Sequence, residues 1–131
     1  MADQRYKILI VEDEEALSEV LKDRFDNEGF EVLVARDGEA GLKLALSRHP
    51  DIVLLDIIMP KLDGLTLLKR LRESDQGKNI RVVVLTNVND SKEVHEALSL
   101  GARDFLVKSD WMISDLVESV RNQLLQPFNM E

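Results

Sequence analysis

Asp51-Ile52-Val53-Leu54-Leu55-Asp56-Ile57-Ile58-Met59-Pro60 decides the fold of this 131-residue chain. Ile52 to Leu55 run apolar without the alternation of a half-exposed strand, so the strand they form is buried on both faces. Such a strand belongs inside a parallel sheet with helices above and below it. Met59-Pro60 then falls in a connection. The run also closes on an acid, Asp56, and that residue matters for chemistry.

Working outward, the same grammar repeats. Strand-like runs are expected at Lys7–Val11, Glu31–Ala35, 52–55, 81–85 and Asp104–Val107. Between them lie helix-period stretches. Leu17, Val20, Leu21 and Phe25 share one face, as do Ile113, Leu116, Val117, Val120 and Leu124. Gly29 and Gly101 stand where helix C-caps belong, Asp90…Glu93 fits a capping box, and His49-Pro50 falls in a connection. Five successive strand–helix units predict a parallel, doubly wound sheet with right-handed crossovers.

Composition sets the outer bounds. The length suits one domain. With 17 Lys+Arg against 25 Asp+Glu the net charge is −8, a poor balance for binding nucleic acid or an anionic membrane. Cys is 0, which removes disulfides, thiolate zinc sites and a cysteine nucleophile together. No apolar run approaches the roughly 18 residues of a membrane span. Ile8 to Val11 is cut off by Glu12-Asp13-Glu14-Glu15, so no secretory signal is expected in this stretch. A cytoplasmic location without membrane insertion is the expectation.

In a doubly wound sheet, chemistry sits beyond the carboxyl ends of the strands. Here the first strand ends in Glu12-Asp13, the third in Asp56, the fourth in Thr86 and the fifth in Lys108. With the first and third strands adjacent, their ends lie about 5 Å apart. Three carboxylates then crowd one small volume. At 4 Å and an effective dielectric near 20, each like-charged pair costs about 4 kcal/mol. Either some of them protonate or a cation binds. The oxygen-only donor set points to Mg²⁺ rather than a softer metal. Glu14 and Glu15 fit a simpler role, acids complementing the dipole of a first helical turn.

These segments resemble the receiver domains of bacterial two-component response regulators. The resemblance rests on Ile8-Leu9-Ile10-Val11-Glu12-Asp13, on Asp51 to Pro60 followed by Asp63-Gly64, on Val82-Val83-Val84-Leu85-Thr86, and on Gly101-Ala102-Arg103-Asp104-Phe105-Leu106-Val107-Lys108. It covers about residues 5 to 125, leaving 126–131 as a short tail. It implies an α/β fold of five parallel strands, flavodoxin-like, in the order 2-1-3-4-5 with five helices. It further implies that Asp56 accepts a phosphoryl group from a histidine kinase or histidine phosphotransfer protein. Glu12, Asp13, Asp56 and the backbone carbonyl of Ile58 would hold Mg²⁺. Thr86 would bind a phosphoryl oxygen, Lys108 would pair with the phosphoryl charge, and Phe105 would turn inward as Thr86 moves.

An acyl phosphate is labile, which suits a reversible signal rather than the turnover of a separate substrate. The chain is therefore expected to be a switch and not an enzyme, catalysing only its own phosphorylation and dephosphorylation. It is expected to be stand-alone, like the chemotaxis-type receivers. The signal would leave through the fourth helix, fifth strand and fifth helix, to another protein or a second copy of the chain.

Two departures from the family pattern bear on this. Ser109 follows Lys108 where receivers usually carry proline, so a trans bond is expected there. Asn87 stands where a small residue is usual and would crowd the phosphoryl site or hydrogen-bond near it. Separately, both Ile58 and Val88 are apolar where a polar group often orients water, so dephosphorylation is expected to be slow. Lys69, Arg70 and Arg72 look like a solvated basic turn, His49 and His95 lack ligand spacing, and the lone Trp111 is expected at the start of the last helix. An aspartyl-phosphate phosphatase would carry its nucleophile after the first strand with a second Asp two residues on. A flavin module would replace the four acids at 12–15 with a hydroxyl- and glycine-rich loop. A constitutive adaptor would not need the Glu12/Asp13/Asp56/Thr86/Lys108 set.

Overall fold

A computed structural model describes residues 5–57, 59, 61–86, 91–107 and 113–125. In these, strands and helices alternate: β1 (Lys7–Val11), α1 (Glu15–Asn27), β2 (Glu31–Ala35), α2 (Gly38–Arg48), β3 (Ile52–Asp56), α3 (Gly64–Glu73), β4 (Arg81–Thr86), α4 (Ser91–Ser99), β5 (Asp104–Val107) and α5 (Ile113–Leu125). The five strands form one parallel sheet in the order β2-β1-β3-β4-β5. β3 is buried at all five positions, as its unbroken apolar run requires.

Alternate residues of each central strand feed opposite cores. Leu9, Val11, Val53, Leu55, Val82 and Val84 pack on the side of α2, α3 and α4 with Leu67, Leu68, Leu71, Val94 and Ala97. Ile8, Ile10, Ile52, Leu54, Val83 and Leu85 pack on the side of α1 and α5 with Leu21, Phe25, Leu116, Val120 and Leu124. Apolar residues on both sides of one pleat leave no solvent face, so the sheet can only be doubly wound.

Two strands run one residue further than the apolar pattern alone indicates. Asp56 still pairs with Leu85, and Thr86 with Val107. Ladder bonds belong to the backbone, so a polar side chain at a strand end need not end the pairing. Gly29 (φ 94°) and Gly101 (φ 89°) close α1 and α4 as expected. In each case the glycine N–H donates to a carbonyl three residues back and the next N–H to one five back, at Asp26 and Phe25 and at Leu98 and Ala97. Asp37 and Asp63 cap α2 and α3, accepting from the N–H of Ala40 and Thr66 at 2.9 Å. The capping box at Asp90, Trp111 and the Lys108–Ser109 bond lie outside the described residues.

Candidate functional site

Register builds the site. Val11 pairs with Leu55, so the residues that follow, Glu12 and Asp56, emerge side by side at the carboxyl end of the sheet. Carboxylate oxygens of Glu12, Asp13 and Asp56 all lie within 4.8 Å of one another. Among the described residues this is the one grouping of three acids close enough to share a metal ion. Glu12 is fully buried, Asp56 is 3% exposed and Asp13 is half-buried. The donor set is oxygen throughout, with no nitrogen or sulfur ligand in the group, and so fits a hard divalent cation.

The surrounding backbone fixes these carboxylates. Glu12 Oε2 accepts from the N–H of Glu14 at 3.0 Å, turning its head toward the start of α1. Glu14 occupies the N-cap position and Glu15 the first turn, as their dipole role requires. The N–H of Gly64 donates to the carbonyl of Ile57 at 2.7 Å, folding the start of α3 back against β3. A Cβ at Gly64 would stand 2.4 Å from the carbonyl oxygen of Asp56 and 2.7 Å from the Cα of Ile57. Only glycine lets α3 start this close beneath Asp56. Asp37 and Lys61 bridge the neighbouring connections at 3.6 Å. The N–H of Ala40 holds the Asp37 carboxyl below the usual range, with the Lys61 charge a smaller cause.

Thr86 closes β4, which lies beside β3, and is 2% exposed. Phe105 lies on the edge strand β5, paired with Val84 and 40% exposed, so its ring sits outward rather than in the core. Lys108, Ile58, Asn87 and Val88 lie outside the described residues. Among these residues, then, Glu12, Asp13 and Asp56 meet in one site, Thr86 ends the strand next to it, and Phe105 stands apart at the sheet edge.

Two expectations need correction. Val20, expected on the apolar face of α1 with Leu17, Leu21 and Phe25, is 45% exposed and lies outside the core. Lys69 and Arg70 are exposed, as a solvated turn should be, but Arg72 is not part of that face. Its guanidinium donates to the carbonyls of Leu100 and Ile80 at 2.8 Å, Gly101 at 3.0 Å, Gly77 at 3.2 Å and Lys78 at 3.3 Å. Burial, and after it the nearby Arg103 charge, pulls it below the usual arginine value. The missed signal was positional: Arg72 follows the buried Leu71, between the apolar face of α3 and the turn into β4.

A doubly wound sheet with paired acids after its first strand and a further acid closing its third is the arrangement that the resemblance to receiver domains implies. The family model for the response regulator receiver domain matches residues 8–121, and this chain belongs to that family of phosphorylation-controlled two-component signalling domains. The chain is 44% identical over 102 residues to the transcriptional regulatory protein CpxR of Klebsiella pneumoniae, a match covering 78% of this chain and 42% of that regulator. The receiver domain of Francisella response regulator 1452 superimposes with a TM-score of 0.82 at 31% identity, covering 92% of this chain and 97% of that one. The chemotaxis response regulator CheY4 of Vibrio cholerae gives 0.84 at 25% identity, covering 93% of this chain and all of that one. CpxR is named a transcriptional regulator, so the expectation of no nucleic-acid partner rests on this chain's acidity alone. Among the described residues no helix is long and apolar enough to cross a membrane.

Proposed function

We propose that Asp56 accepts a phosphoryl group from a histidine kinase or histidine phosphotransfer protein in a Mg²⁺-dependent reaction. The observation that carries this is the convergence of Glu12, Asp13 and Asp56 within 4.8 Å at the strand ends. When bound, Mg²⁺ would offset the negative charge of the transferring group. Glu12 and Asp13, with Asp56 and the Ile58 carbonyl, serve as its protein ligands. An Asp56 carboxylate oxygen forms the new P–O bond as the P–N bond to the donor imidazole breaks, and the imidazole keeps that electron pair. The Thr86 hydroxyl donates to a phosphoryl oxygen and the Lys108 ammonium pairs with the remaining charge.

Phosphorylation adds roughly −1.5 to −2 charges beside Thr86. Thr86 shifts toward them, the Phe105 ring moves inward, and the surface of α4, β5 and α5 changes its affinity for a downstream protein or a second copy of the chain. In this reading the receiver occupies residues 5–125 with 126–131 as a tail, acts in the cytoplasm, and turns over nothing but its own acyl phosphate.

Beryllofluoride, a phosphoryl mimic, tests this with and without Mg²⁺ on the native chain and on Asp56→Asn. Amide NMR shifts and Trp111 fluorescence are expected to change only in the native chain and only when Mg²⁺ is present. No Mg²⁺-dependent change, or an equal change in Asp56→Asn, would overturn the assignment.

A further inference from the structure

We propose that Arg72 is a positioning residue for the switch, a fixed pivot about which α4 tilts when Thr86 moves. The inference rests on the phospho-switch reading above and adds to it the question of which end of α4 moves. α4 has a light apolar footing: among the described residues, Val94 and Ala97 are buried on it, against Leu116, Val117, Val120 and Leu124 on α5. Its two ends are held differently. The start of α4 follows Thr86 by four intervening residues, 87–90, so it is tied to the strand end beside the acids. Its far end is tied to Arg72.

That tie is a bridge. Nε and Nη2 donate to the carbonyls of Leu100 and Gly101, the last groups of the α4 terminus. Nη1 donates to Gly77, Lys78 and Ile80, the turn that leads into β4. Arg72 itself belongs to the last turn of α3. One planar group therefore fastens the end of α4 to α3 and to the entry of the strand that carries Thr86. The left-handed turn at Gly101 brings its backbone so close that a Cβ there would stand 2.9 Å from Arg72 Nε. A lysine cannot reproduce this, because an ammonium is a point donor without two edges facing two loops. A helix held at one end and pulled at the other rotates about the held end.

Amide hydrogen exchange resolves the two ends. The N–H groups of Leu100, Gly101, Ala102 and Arg103 all donate within the protein and so report on the pinned end. In the native chain, Mg²⁺ with beryllofluoride is expected to change exchange at His95 and Glu96 by at least about threefold and to leave 100–103 unchanged. In Arg72→Lys the Mg²⁺ affinity is expected to stay native, while the beryllofluoride response spreads to 100–103. Leu124→Ala, a core truncation on the opposite face, controls for general loosening and is expected to keep the native gradient. A native response of equal size at both ends, a gradient unchanged in Arg72→Lys, or a spread response in Leu124→Ala would each overturn the pivot. Absence of any Mg²⁺-dependent response in the native chain would instead overturn the phospho-switch reading, and the pivot with it.

Discussion

The two ends of the sheet treat charge in opposite ways. At the carboxyl end three carboxylates gather within 4.8 Å, two of them buried. At the amino end one guanidinium is met by the carbonyls of five residues. Neutral dipoles satisfy a half-buried cation without adding an opposite charge that must itself be desolvated. Gathered acids place like charges side by side, and the fold tolerates them because the remaining contacts supply enough stability. The amino end fastens a cation in place, and the carboxyl end brings like charges together.

The largest effect should come from breaking the permanent end. Arg72→Met keeps much of the stem packing but strips hydrogen bonds from five carbonyls, and is expected to cost about 3 kcal/mol. Urea unfolding measures it. Because the acceptors are neutral, the loss should be nearly the same in about 0.1 M and about 1 M salt. A loss that shrank strongly in high salt would mean that ion pairing, not the carbonyls, dominates. Gly64→Ala comes next, at about 2 kcal/mol, since its methyl would meet backbone rather than a side chain able to move. It also presses on Asp56, so it should weaken Mg²⁺ binding where Arg72→Met does not. Titration of both variants with Mg²⁺ separates the two ends.

Thinning the acids at the carboxyl end should raise stability instead. In the absence of divalent ions, Asp56→Asn lowers the carboxylate density at the strand ends and is expected to stabilise the fold by about 1–2 kcal/mol. Mg²⁺ should then stabilise the native chain more than the variant, narrowing the gap in thermal melts. A metal-free variant less stable than the native chain would show that Asp56 is held by attraction, and the contrast between the two ends would fail.

The sequence exposed these two ends unequally. Side-chain periodicity placed the strands to within a residue, and β3 and β4 were misjudged by one because Asp56 and Thr86 end an apolar run but not the ladder. The acids were legible since their chemistry lies in their side chains and parallel register brings strand ends together. Arg72 was not legible, because its partners are backbone carbonyls that any residue could supply. Phe105 was legible as a position, and the implied order 2-1-3-4-5 already put its strand at the sheet edge; the structure adds that the residue is 40% exposed there. Thus sequence reports best on sites where side chain meets side chain.

A third cluster offers the smallest and most discriminating comparison, because it holds arginine in the opposite manner to the Arg72 clamp. Glu28 lies at the end of α1, 2.8 Å from Arg121 Nη2 and 3.0 Å from Arg24 Nε, with Arg121 also stacked over the Phe30 ring at 5.3 Å. The Arg121 hydrogen bond, then that of Arg24, holds the Glu28 carboxyl below its ordinary value of 4.5. Between the depressed folded value and 4.5 the unfolded chain binds more protons, so stability rises with pH there. The contribution is complete above 4.5 and is lost as pH falls through the folded value. Glu28→Gln should therefore flatten the acid limb of a stability–pH profile, its deficit fading as pH falls through the folded value. Both partners are partly exposed, so the pair is weak and salt should erode it. Repeating the profile in about 1 M salt should bring native and Glu28→Gln curves together, while the Arg72→Met deficit persists. Convergence of both pairs of curves would show that the Arg72 clamp, too, is an ion pair at heart.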